Sequence, residues 1–127
     1  MSIIKSTSAR NAACDAVVDL IDIGSTYAQG SLKIYDSDSS VLVSLNMSNP
    51  AYGDATAGIS TAASITDSTA FADGTATSFS IFDRDGTSVF DGTVTTLGGG
   101  GDLELNPNYL VSDATISIDS ASFTVPV

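Results

Sequence analysis

Thr75-Ala76-Thr77-Ser78-Phe79-Ser80-Ile81-Phe82-Asp83-Arg84-Asp85-Gly86-Thr87-Ser88-Val89-Phe90-Asp91-Gly92-Thr93-Val94 alternates in polarity on both sides of an Asp-Gly pair. Alternation with period two is the pattern of a strand with one covered face. An Asp-Gly between two such runs is a strong short-range hairpin signal. The run therefore predicts a β-hairpin that turns at 83–86, and Asp91-Gly92 predicts a bulge in its return strand. Asp-Gly-Thr recurs at Asp73, Asp85 and Asp91 with unequal spacing, which marks recurrent turn chemistry more than a tandem repeat.

Upstream, Ser31 to Asp36 and Val41 to Met47 alternate about the cluster Asp36-Ser37-Asp38-Ser39-Ser40, a second hairpin, and Pro50 closes it. Gly58 to Ala62 reads as a short strand. Downstream, Gly98-Gly99-Gly100-Gly101 is a loop before a strand at Asp102 to Asn106 that Pro107 ends. Ala114 to Val125 alternates, slips phase near Ser120 and resumes, which predicts another bulge. One segment has helical period: Ala9, Ala13, Ala16, Val17, Leu20 and Ile21 form an apolar stripe, with Arg10, Asn11, Asp15, Asp19 and Asp22 mainly opposite. Ser8 as N-cap and Gly24 as C-cap bound a helix of about 9–23. The fold expected is mainly β, an antiparallel β-sandwich or jelly-roll-like barrel of about seven strands, with one N-terminal α-helix. A single domain over residues 1–127, with an arm at 1–8, fits a chain of this length.

Composition narrows the chemistry. The chain has 127 residues, 15 acids against 4 bases, no His, no Trp and one Cys. A net charge of −11 leaves no basic stripe to track phosphates, so no nucleic acid partner is expected. Without His, and with Cys14 alone, the chain makes no His-bearing triad, His/Cys zinc site or internal disulfide. Asp83-Arg84-Asp85-Gly86 invites calcium, but an EF-hand register puts Ile81 and Gly92 at ligand positions, so the turn reading prevails. The glycine run has no Lys after it and precedes a strand, so it is not a phosphate loop. Cys14 lies on the helix's apolar side, where an inert buried thiol is expected. No enzyme activity, cofactor or metal is expected, nor a membrane partner, since no run approaches the ~20 apolar residues of a span. A positive mean hydropathy of +0.24 argues against disorder.

Beyond the residues themselves, Ala9 to Asp22, Ser31-Leu32-Lys33-Ile34-Tyr35, Leu45 to Gly53, Phe79 to Val94 and Gly100 to Leu105 together resemble small virion structural proteins of tailed bacteriophages. The resemblance implies a non-enzymatic virion component, first of all a head decoration or cement protein that is made in the host cytoplasm and sits on the capsid surface. Its partners would be the major capsid protein or other virion proteins, with a homo-oligomer such as a trimer about a lattice axis. A tail or neck component is the alternative within that group. A carbohydrate-binding or calcium-binding β adhesin module is the alternative outside it. The contact residues expected are Ser2, Ile3, Ile4 and Lys5 on the arm and Arg10 on the helix, because an exposed arm can order upon another protein's sheet.

Overall fold

The computed structural model describes residues 3–105, 107–118 and 121–124. It is mainly β with one N-terminal helix, as the periodicities predict. The helix α1 spans Thr7–Asp19 and runs on as one 3-10 turn, Leu20–Asp22. Ser6, not Ser8, is the N-cap, its hydroxyl accepting the Ala9 N–H at 3.1 Å. The helical turns end before Gly24, with Ile23 already extended.

Eleven strands follow among the described residues: β1 Ser31–Tyr35, β2 Val41–Asn46, β3 Ile59–Thr61, β4 Ser68–Thr69, β5 Gly74–Thr75, β6 Ser78–Phe82, β7 Ser88–Thr96, β8 Leu103–Leu105, β9 Tyr109–Leu110, β10 Thr115–Ile116 and β11 Ser122–Thr124. Five of them form the main sheet in the order β2-β1-β6-β7-β8. Three two-stranded ladders, β4/β10, β3/β11 and β5/β9, accompany it. The run at 114–125 is thus divided between two ladders, and the bulge expected at Ser120 lies outside the described residues. Among the described strands every pairing is antiparallel except β7 with β8, whose Val94 lies opposite Leu103. That one departs from the antiparallel expectation. The glycine run lets the chain double back within 97–102, and a Cβ at Gly99 or Gly101 would stand 2.7 or 2.9 Å from the Thr95 side chain. Only hydrogen fits there.

The two hairpins of the sheet are built alike. In each, an Asp Oδ1 accepts the N–H groups two and four residues on: Asp36 from Asp38 and Ser40, Asp83 from Asp85 and Thr87, all at 2.9 Å. Both turns place their fourth residue in the left-handed region, Ser39 at φ 64° and Gly86 at φ 83°. Both have a register shift just beyond the turn, with Leu42 extra in one and Val89 extra in the other. The bulge of the second hairpin is therefore at Val89, and Gly92 pairs regularly with Phe79. Because β1 and β6 are antiparallel neighbours centred on the Lys33 and Ser80 pair, a local two-fold relates the hairpins, Ser31 standing where Ser78 stands.

Leu32 lies between Leu45 and Ile81, and Ile34 between Val43 and Phe79, all on the covered face. These side chains join Val18 and Ile21 of the helical segment and Leu103, Leu110 and Ile118 in one contiguous buried cluster. The outer edge of β2 is occupied, since Thr66 N–H donates to Asn46 O at 2.9 Å and Phe71 N–H to Leu42 O at 2.7 Å.

Candidate interaction surface

The helix is rotated relative to the simple amphipathic reading: of the expected apolar stripe Ile21 is buried and Val17 half-buried, but the rest faces out. Cys14, Val18 and Ile21 are its buried residues, while Ala9, Ala12, Ala13, Ala16 and Leu20 are exposed, and Ile23 beyond them. The polar side chains explain the rotation. Asn11 Oδ1 accepts from Gly58 N–H at 2.7 Å, Asp15 Oδ1 from Ala55 at 2.8 Å and Asp22 Oδ1 from Ala51 at 2.9 Å. The segment 51–58 has few ladder partners, so its donors need acceptors, and the helix supplies them. Three polar side chains thus face the protein, and an apolar stripe faces out.

Of the contact residues expected from sequence, Ser2 lies outside the described residues. Ile3 and Ile4 are 80% and 76% exposed on the non-helical arm, with Lys5 half-buried beside them. Arg10 is the helix residue among them. It is half-buried, and its guanidinium lies against Gly58, where a Cβ would come within 2.7 Å of it. Periodicity locates the stripe through Ala9, Ala13, Ala16 and Leu20 but does not say which side is covered, and Ile23 joins it only in the fold. The half-buried carboxyl of Asp22 is held above the ordinary Asp range by burial, partly offset by the Ala51 N–H.

Cys14 is fully buried and donates to Phe123 O at 3.4 Å; burial and the neighbouring Asp15 push its thiol up, away from thiolate reactivity. Burial likewise pushes Tyr52 up to about 12. The acid-rich turns spend their carboxylates on backbone. Glu104 accepts from Gly98 and Gly100 N–H, at 3.3 and 3.1 Å, and Asp102 accepts from Thr93 N–H at 3.0 Å. Among the described residues no three of His, Cys, Asp and Glu stand close enough to hold a metal ion.

Asp85 binds the segment after the helix to the second hairpin. Its Oδ1 accepts Ser25 N–H at 2.9 Å, Thr26 N–H at 3.1 Å and the Thr26 hydroxyl at 2.9 Å. Arg84 Nε donates to Tyr27 O at 2.8 Å alongside. The Ser25 N–H above all, then the two Thr26 donors, hold the Asp85 carboxyl below its ordinary value. A carboxylate with a depressed folded pKa contributes stability that is full above its unfolded value, about 4, and is lost as pH falls through the folded value. Asp85→Asn should therefore melt below wild type at pH 7, with the gap closing below about pH 4. A gap that stays constant in melts from neutral to acid pH would contradict this. Asp22 works in the opposite sense, returning stability as acid protonates it.

The other end of the sheet, β8, borders a trough of about 550 Å³ lined also by Ser117, Ile118, Ala121 and Ser122, with Leu97, 68% exposed, beside it. Tyr109 of β9 and Val111 just beyond it are also exposed, as is Phe71. Among the described residues no helix is long and apolar enough to cross a membrane. Comparison of the chain with protein-family models, with curated proteins and with solved structures finds no match.

Proposed function

We propose that this chain is a non-enzymatic virion structural protein, a decoration or cement protein that binds the assembled head lattice of a tailed phage. The observation that carries the reading is the outward apolar stripe of α1, ending in Leu20 and Ile23, on a domain in which carboxylates such as Asp15, Asp36, Asp83, Asp85 and Glu104 brace its own loops. An exposed, contiguous apolar face marks a contact surface. Binding the lattice better than free subunits converts contact energy into shell stability through mass action. Described acids are all exposed or half-buried, so the −11 charge faces solvent and keeps loaded particles apart.

The test is co-sedimentation with assembled heads of the phage that encodes the protein. Wild type should pellet with heads and be released by mild denaturant before the shell opens. The double variant Leu20→Asp, Ile23→Asp should bind at least about tenfold more weakly, since two large apolar contacts are worth more than 1.4 kcal/mol. Absence of the protein from purified virions would overturn the assignment.

A further inference from the structure

We infer that the face of the main sheet turned away from the helix holds a binding site for an acidic saccharide, a sugar that carries a carboxylate. Ser31, Lys33 and Tyr35 alternate with the buried Leu32 and Ile34, so they stand on the face opposite the helix. At one end of that face a hollow of about 340 Å³ opens between β1, β2, β6 and the 27–29 segment, within the range of small-molecule sites, about 300 to 1,000 Å³. The register builds its floor: Ser31 pairs with Asn46 on one side and Phe82 on the other, and Lys33 pairs with Ser44. Its wall is pinned. Tyr27 N–H donates to Arg84 O at 2.9 Å, Arg84 Nε to Tyr27 O at 2.8 Å, and Asn49 Nδ2 to Ala28 O at 3.2 Å.

The lining selects the ligand. Lys33 is the one charged side chain there, and among the described residues it makes no ion pair; its Nζ lies 5.0 Å from the Phe82 ring centroid. In a chain of net charge −11, an ammonium that meets an aromatic ring and no carboxylate is a receptor for an anion from outside. The Gln29 and Asn46 amides and the Ser31 and Ser44 hydroxyls line the same hollow and bond to no described residue, which leaves donors and acceptors of the kind sugar hydroxyls take. Tyr27, 59% exposed, adds an aromatic ring for the apolar face of a pyranose. Phosphate is a poorer fit, since neither an Arg fork nor a helix N-terminus lines the hollow. Because the site is on the opposite face of the sheet from α1, it neither requires head binding nor is required by it.

The test is a titration of the isotope-labelled full chain at neutral pH with glucuronate, galacturonate and N-acetylneuraminate, followed by amide NMR shifts. At least one should saturate with a Kd of about 0.1 to 10 mM, its shifts centred on 27–33, 44–46 and Phe82. Glucose, galactose and inorganic phosphate should each bind at least about tenfold more weakly than the best of the three acids. Lys33→Gln should weaken binding by at least about tenfold and Tyr27→Ala by at least about fivefold, each with unchanged circular dichroism. Ser37→Glu makes the same change of net charge on the turn at the far end of β1, and it should bind like wild type. Three outcomes would overturn the inference: no saturable shift with any of the three acids to about 50 mM, neutral sugar or phosphate binding as tightly as the acids, or Lys33→Gln binding like wild type.

Discussion

Ile34→Ala should lower the free energy of unfolding by about 3 kcal/mol. Ile34 is fully buried, sits on β1 between Val43 and Phe79, and belongs to the strand pair about which the two hairpins are arranged. A cavity there is bounded by ladders on both sides, so neighbours cannot collapse into it without losing register. Urea unfolding measures the loss. Ser44→Ala, on the outward face of β2 opposite Lys33, should change stability by less than about 0.5 kcal/mol in the same assay. Equal effects from the two would mean that this face of the sheet is not the covered one.

Gly30→Ala should cost about 2 to 3 kcal/mol by crowding instead of by cavity. A methyl at position 30 would lie 2.4 Å from Ile21 Cγ2 and 2.6 Å from the Phe82 carbonyl oxygen. Neither can retreat easily, since Ile21 is fully buried and Phe82 is held in the β1/β6 ladder. This is the point where the helical segment meets the start of the sheet, so the strain falls on their junction. Gly53→Ala is the matched control, because the nearest atom to its new methyl is Thr61 O at 3.8 Å. Thermal melts should separate the two glycines clearly; indistinguishable melting temperatures would refute the close approach.

Much of the fold is legible in the sequence because period-two alternation and turn residues act locally. Both hairpins, β3, β8 and the existence of the helix follow from those signals. What escapes is whatever another part of the chain decides. The helix stripe was assigned by hydropathy alone, yet Asn11, Asp15 and Asp22 are drawn inward by unpaired donors of the 51–58 segment, which helical periodicity cannot register. Gly92 suggested a bulge because glycine often marks one; it is instead the site over which the Phe79 ring lies, a Cβ there falling 2.5 Å from that ring. The parallel β7/β8 pair runs against the usual need for a long crossover.

One pattern was in the sequence and went unread. Asp36-Ser37-Asp38-Ser39-Ser40 and Asp83-Arg84-Asp85-Gly86-Thr87 differ in letters but fold to one design, preceded by Ile34-Tyr35 and Ile81-Phe82. What they share is the Asp at the first and third positions, not the glycine of Asp-Gly-Thr.

That equivalence makes each hairpin a ruler for its twin. Where one half uses Gly86 for a backbone twist that the other asks of Ser39, the mismatch identifies which half bears the conformational burden. Where both halves agree on Asp, the agreement identifies the atom on which the turn depends. The polypeptide thereby holds an internal control for its own design rules, legible from two stretches of a single molecule.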